Sequence, residues 1–337
     1  MDVVTSAERA QAGASATPAA LIVGALHAHA GKTGIAAAIA LTLAYEGRRM
    51  LALRLSGGDA ETDAARADAR LFRSLPFARG RGGSPVSIDD AESAAREQAQ
   101  NGATLVLEAP AGADLVELAR RLDAAVLLAV RSADAEAVTA LEQLSSALGP
   151  RLIGVVAVAV PAPLTDAARQ ALTRGPARLL GVLPEDQTLY APSVLEIAEA
   201  LDAEVVLGEP SESQIIERLL IGPITTDPGQ PYYARSRSKK AIITRSDKPD
   251  LQLAAMHTDI DCLILTGGLN PSPYTIDRAA DGEISVLLTK ADTQGTVKLL
   301  EEIFMRTRFA GDEKLERMRA LLGEKLDWEP LRRPLGA

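Results

Sequence analysis

Gly31-Lys32-Thr33 lies between an apolar run at 21–26 and a proline-free, Ala/Leu-rich stretch at 34–45. The run has the length of a buried strand. The stretch consists of good helix formers, and Gly47 is placed to stop it. Residues 50–55 read as the next strand. Strand, glycine-lysine loop, helix and strand make a βαβ unit in which the loop opens the helix. There, backbone N–H groups and the helix dipole face an incoming phosphate. Lys32 supplies a point charge for the β/γ phosphates, and the Thr33 hydroxyl can ligate Mg²⁺. Gly31, Lys32, Thr33 and Gly34 are therefore candidate nucleotide-binding residues. The general pattern has four residues between its first glycine and Gly-Lys-Thr. Here Leu26 holds that first position and the nearest upstream glycine is Gly24, so the loop is a variant. The competing reading is a surface turn.

The alternation continues, with strands at 104–107, 124–130, 152–160 and 179–183 and a helix at 133–148. Residues 152–160 are nearly all apolar, as in a strand buried on both faces. The fold class is α/β: a P-loop NTPase-like parallel sheet with helices on both faces, followed by a smaller α/β domain. Residues 75–86, rich in Gly, Arg and Pro, read as an exposed loop. A phosphate loop also needs carboxylates at or beyond strand ends to hold the metal. Glu108 ends a strand, and Asp68 follows the second strand with Asp59 and Asp63 nearby. With Thr33 they form the candidate metal set. The competing roles are a helix-dipole partner for Glu108 and a solvated acid for Asp68. His27 and His29 are an incomplete zinc set and read as loop lining.

Gly208-Glu209-Pro210-Ser211-Glu212-Ser213 reads as a domain boundary. The expected organisation is a loose tail at 1–18, a nucleotide domain at 19–207, a second domain at 208–308, and a C-terminal helix and tail at 309–337. The second domain repeats the alternation: strands at 241–244, 262–265 and 284–288, helices at 250–257, 273–280 and 293–306. Thr266-Gly267-Gly268 ends a strand and turns, which predicts backbone N–H groups free to meet an anion. Thr266, Gly267, Gly268, Asn270 and Ser272 are its candidate ligand residues; a tight turn needing glycine is the alternative. Cys262, inside an apolar strand, is expected to be buried and inert. Leu315, Met318, Leu321, Leu322 and Leu326 form a helical stripe that packs on the body or on another subunit.

Lys and Arg total 36 against 45 Asp and Glu, a formal charge of -9. That disfavours bulk nucleic-acid binding. Two basic runs remain: Arg66, Arg70, Arg73, Arg79 and Arg81, then Arg235, Arg237, Lys239 and Lys240. Each reads as a solvated face or as a dock for phosphate or a partner. No apolar run reaches the ~18 residues of a membrane span. The N-terminus lacks a secretory pattern, and the single cysteine fits a reducing, cytoplasmic setting.

Several stretches of the first domain carry a resemblance, among them Ala30-Gly31-Lys32-Thr33, Asp68-Ala69-Arg70-Leu71-Phe72 and Val106-Leu107-Glu108-Ala109-Pro110. The clearest is Leu180-Gly181-Val182-Leu183-Pro184-Glu185-Asp186, continued by Ala191-Pro192-Ser193-Val194-Leu195-Glu196. This domain resembles the dethiobiotin-synthetase-like P-loop domain that precedes the catalytic domain of long phosphate acetyltransferases. The second, through Ser246-Asp247-Lys248-Pro249-Asp250 and Leu265-Thr266-Gly267-Gly268-Leu269-Asn270-Pro271, resembles the DRTGG domain. The resemblance implies an ATP–Mg²⁺ site on Lys32, Thr33, Asp68 and Glu108. Arg54 stands where the synthetase has a lysine, and no asparagine occurs at 154–160 to match its adenine-binding residue. Arg and Lys are not interchangeable there, so dethiobiotin synthesis is disfavoured. About 30 residues follow the DRTGG-like part, so no acetyltransferase activity is expected.

The leading expectation is a nucleotide-binding regulatory or adaptor protein. It would take ATP or another nucleotide with Mg²⁺, and would assemble with itself or a protein partner through the DRTGG-like domain and C-terminal helix. The alternatives are an ATP-dependent carboxylate-activating ligase or slow ATPase, and a structural subunit with a vestigial nucleotide site.

Overall fold

Six parallel strands in the order β2-β3-β1-β4-β5-β6 organise the first part of the computed structural model. The structure describes residues 20–27, 30–57, 63–80, 82–131, 134–222, 239–304 and 307–332. The expected tail at 1–18, His29, Asp59, Arg81, Arg235, Arg237 and the end of the helix expected to reach 306 lie outside them. The strands are β1 (Ala20–Ala25), β2 (Met50–Arg54), β3 (Thr104–Glu108), β4 (Ala125–Val130), β5 (Leu152–Val160) and β6 (Leu179–Pro184). Between them run α1 (Lys32–Tyr45), α2 (Asp63–Ser74), α3 (Ile88–Gln100), α4 (Leu115–Arg121), α5 (Ala135–Leu148) and α6 (Thr165–Thr173).

Both faces of this sheet are covered, which is why the strands read as continuous apolar runs. Ile22, Leu105 and Leu107 point to one face, where Ala91, Leu118, Leu141 and Leu172 of α3 to α6 close a core. Side chains alternate across a strand, so Leu21, Val23 and Val106 serve the opposite face, which α1 and α2 cover. Gly24 lets α4 approach: an added Cβ would lie 2.6 Å from a Leu115 methyl. Helix α1 ends as expected, with Gly47 at φ 91 and the Arg48 N–H donating to Leu43 O. The loop expected at 75–86 is not wholly exposed. Leu75 and Ala78 are buried, and Val86 bridges to Leu55 beside β2.

The second sheet has five strands in the order β7-β11-β10-β9-β8. They are β7 (Glu204–Leu207), β8 (Arg218–Ile221), β9 (Lys240–Arg245), β10 (Cys262–Thr266) and β11 (Ser285–Leu288). Its helices are α7 (Gln187–Tyr190), α8 (Val194–Ala200), α9 (Pro249–Met256), α10 (Pro273–Asp281) and α11 (Thr293–Phe304). Ile243, Cys262, Ile264 and Leu287 face α8 and α11. Ile242, Leu263, Leu265 and Val286 face α9 and α10. β7 is antiparallel to β11; the other pairings are parallel.

The chain divides into two units: residues to Glu185 together with those from Arg319 onward, and Asp186–Met318. This displaces the boundary expected at 207/208. β7 completes the second sheet by pairing Leu207 with Val286, and α8 supplies Val194 and Ile197 to the second core. The expected separate element at 309–337 is likewise shared out. The division falls within α12 (Asp312–Lys325), and α13 (Glu329–Arg332) follows in the first unit. The stripe Leu315, Met318, Leu321, Leu322 and Leu326 is buried within the chain. This apolar stripe is therefore not an open face for a partner.

Candidate functional site

The chain leaves β1 in one direction along the sheet and β4 in the other, so the loop after β1 opens at the point where the strand order reverses. That is where open α/β sheets place ligands. Gly31 stands at the N-cap of α1 with φ 70 and is exposed. A left-handed backbone there favours glycine. The N-cap Gly31 provides no side-chain cap, and the first turn carries no acid, so its leading N–H groups keep their affinity for an anion. Lys32 is half-buried at the first position, and Thr33 and Gly34 are buried behind it.

The Thr33 hydroxyl donates to Glu108 Oε1 at 2.9 Å in a buried contact. β3 pairs with β1, Val23 opposite Glu108, which brings the end of one strand beside the loop after the other. A hydroxyl donating its proton to a carboxylate keeps its lone pairs for a cation. Glu108 Oε2 is buried and has no hydrogen-bond partner among the described residues; leaving such an atom unsatisfied costs about 1–3 kcal/mol. The Glu108 carboxyl is pushed up to about 8, chiefly by burial and next by Asp68. Arg54, Lys32 and the Thr33 hydrogen bond pull the other way.

Arg54 holds the acids together. Its Nε lies 3.4 Å from Asp68 Oδ2 and one terminal nitrogen 3.9 Å from Glu108 Oε1. The guanidinium is buried, whereas Asp68 is 23% exposed. Thr33, Asp68 and Glu108 are thus brought to one site. One hydroxyl and two carboxylates suit a hard cation that completes its shell with phosphate oxygens and water. The unpartnered Glu108 Oε2 fits such a group. Among the described residues no three His, Cys, Asp or Glu side chains cluster as a metal site by themselves.

A cavity of about 430 Å³ opens at the ends of β4 and β5, lined by Val130, Arg131, Asp134, Val160 and Leu164. Ala159 beside it has φ 56, and the β5–β6 register slips between Ala157 and Val160. Such a bulge re-aims the strand end. This cavity was not anticipated; residues 152–160 carry only an apolar pattern, which marks burial alone.

The second unit's glycine turn is built differently. The Gly267 N–H donates to Ala291 O at 2.9 Å and the Gly268 N–H to Thr289 O at 3.0 Å. The Leu269 N–H donates to Ser246 Oγ at 3.1 Å. The donors expected to be free for an anion are therefore engaged, which corrects that reading. Thr266 is buried, its hydroxyl 2.9 Å from Thr293 Oγ1. Ser272 caps α10 by accepting from the Thr275 N–H, and Asn270 is exposed. The residues that organise this turn are Ser246, Gln252 and Thr293, which are not among the candidate ligand residues. Gln252 is fully buried; it donates to Ser246 O and accepts from Thr275 Oγ1.

Cys262 is buried, and burial pushes its thiol well above the usual range. His27 is exposed. Arg66, Arg70, Arg73 and Arg79 are exposed. Lys239 pairs with Glu313, and Lys240 is buried. Among the described residues no helix is long and apolar enough to cross a membrane.

Comparison with known proteins gives one domain match. Residues 196–303 match the DRTGG domain. The phosphate acetyltransferase of Nitratidesulfovibrio vulgaris Hildenborough is 26% identical over 157 residues, 43% of this chain and 22% of that protein. The chain thus spans about a fifth of that relative. Among solved structures, the CBS and DRTGG domains of the regulatory region of Clostridium perfringens pyrophosphatase, complexed with the activator diadenosine tetraphosphate, align at 18% identity. That alignment has a TM-score of 0.30 and covers 41% of this chain and 64% of that one. The septum site-determining protein MinD of Pyrococcus horikoshii, complexed with Mg-ADP, aligns at 16% identity with a TM-score of 0.35. It covers 50% of this chain and 82% of that one. The chain thus combines residues 196–303, which match the DRTGG domain, with a six-stranded parallel α/β unit that has a glycine-lysine-threonine loop after its first strand.

Proposed function

We propose that the chain is a nucleotide-binding regulatory protein. The first unit takes a nucleotide with Mg²⁺, and the DRTGG domain senses a second ligand or mediates assembly with itself or a protein partner. The observation that carries the nucleotide reading is the buried Thr33–Glu108 hydrogen bond beside the start of α1. Phosphates would lie on the N–H groups and ammonium of Lys32. Thr33 and Glu108, with Asp68 on the solvent side, would hold the cation. Bound there, Mg²⁺ would neutralise phosphate charge. The 430 Å³ cavity at the ends of β4 and β5 is the proposed seat of the base.

Arg54 supports binding over turnover. A ligase acting on a carboxylic acid needs a cation displayed to that acid, yet Arg54 is 5% exposed and faces Asp68 and Glu108. A guanidinium also cannot give up a proton, so it cannot serve as a general acid.

Calorimetry with ATP, GTP and their diphosphates, each with Mg²⁺, tests the reading. Saturable binding that disappears in Lys32→Ala is the expected result. No binding of any nucleotide, or binding unchanged by Lys32→Ala, would contradict it. Phosphate release that rises with a small carboxylic acid and vanishes in Glu108→Gln would favour the ligase instead. The mass in solution with and without nucleotide tests the assembly role.

A further inference from the structure

A feature that the nucleotide reading leaves unused lies at the other end of the first sheet. Met50 and Ala103 stand at the starts of β2 and β3, and a cavity of about 720 Å³ opens there. Arg54, at the phosphate-loop end of β2, is four residues away, roughly 13 Å along a strand. The two sites are therefore separate.

The lining is selective. The lining residues include three arginines, Arg48, Arg49 and Arg79, and one acid, Glu97, a formal excess of two positive charges in the lining of a chain of net charge -9. Phe77, Met50 and Leu51 supply an apolar wall. Gln98 also lines the cavity. It is 7% exposed, and its Nε2 has no hydrogen-bond partner among the described residues. A buried amide donor is costly unless an acceptor meets it. Guanidinium forks match oxyanions in geometry as well as charge. Two excess charges and a waiting N–H donor match a dianionic group, and the apolar wall matches an uncharged body attached to it. Arg79 belongs to the first basic run of the sequence, whose remaining described members, Arg66, Arg70 and Arg73, are not among the lining residues.

We propose that this cavity binds a small organic phosphate, with Arg48, Arg49 and Arg79 and the Gln98 amide on the phosphate and Phe77 against the organic body. Its volume suits a ligand up to mononucleotide size. Nothing in this assignment depends on the phosphate loop, so the two sites are tested apart.

The experiment uses the full chain carrying Lys32→Ala, which disables the other site. Calorimetric titrations with phenyl phosphate, inorganic phosphate and benzoate supply the probes. The expected result is saturable phenyl phosphate binding, weaker inorganic phosphate binding and weaker still benzoate binding. Combining Arg49→Ala with Arg79→Ala should weaken phenyl phosphate roughly tenfold or more, the scale of lost charge-assisted hydrogen bonds. Gln98→Leu supplies a second readout: affinity should fall several-fold while the ligand-free protein unfolds at the same or higher temperature. A merely structural glutamine would lose stability instead. Four results would overturn the proposal: no saturable binding, binding undiminished by the arginine changes, benzoate as tight as phenyl phosphate, or binding by wild type that Lys32→Ala abolishes.

Discussion

Two glycine turns occupy equivalent places, each at the carboxyl end of a parallel strand, and they do opposite things with their donors. After β1, Gly31 opens a helix without a side-chain cap of its own, and one oxygen of the adjacent Glu108 has no hydrogen-bond partner among the described residues. After β10, Gly267, Gly268 and Leu269 spend their N–H groups on Ala291, Thr289 and Ser246. The first turn keeps unsatisfied polar groups, a cost that a ligand can remove. The second is satisfied internally and works as a joint between strands. A glycine-rich turn at a strand end is thus a binding loop only when its hydrogen-bonding groups have nowhere else to go.

The comparison can be broken most directly at Lys32. Replacing it with alanine should cost roughly 10- to 100-fold in nucleotide affinity, measured by calorimetry, with no change in thermal stability of the second unit. An equal loss from Ser246→Ala would erase the distinction between the turns.

Glu108 gives the next effect, through pH. Its carboxyl is raised from 4.5 to about 8, so the folded protein holds a proton that the unfolded chain releases. Its contribution to stability is full below pH 4.5, falls as pH rises, and is lost by about pH 8. Urea unfolding across that window should show wild-type stability declining with pH. Glu108→Gln should flatten the decline; an identical slope in the variant would contradict the burial account.

Smaller effects belong to the second turn. Gly268 has φ 70, and alanine there should cost about 1–2 kcal/mol in urea unfolding without touching nucleotide affinity. Ser246→Ala leaves the Leu269 N–H without its acceptor and should cost about 1 kcal/mol. If both substitutions were neutral, the second turn would not be a joint.

Much of this architecture was legible because burial on both faces writes apolar runs into the chain. β1, β3 and β5 and the helix after the lysine were read from such runs. β7 and β8 were not: they are edge strands, half exposed, and Glu204-Val205-Val206-Leu207 carries no both-face pattern. Missing β7 also misplaced the domain boundary. Gly208 looks like linker but is packed into the second sheet, where an added Cβ would lie 3.3 Å from Ser285 Cα, while the actual division follows Glu185 with no Gly or Ser signal. The Thr33–Glu108 pair was legible because a strand–loop–helix unit places both residues at one sheet edge. The fate of the Gly267 and Gly268 donors was not, since their acceptors come from the segment after β11, more than twenty residues along. Gln98 was hidden for the same reason: its environment is assembled from β2, α3 and the segment after α2.

A crystal structure of the protein grown with ATP and Mg²⁺ tests the central claim most directly. The account predicts phosphate density on the N–H groups of Lys32 and Thr33, with a cation against Thr33 Oγ1 and Glu108. An unliganded loop at saturating nucleotide, with the Thr33–Glu108 hydrogen bond unchanged, would contradict it.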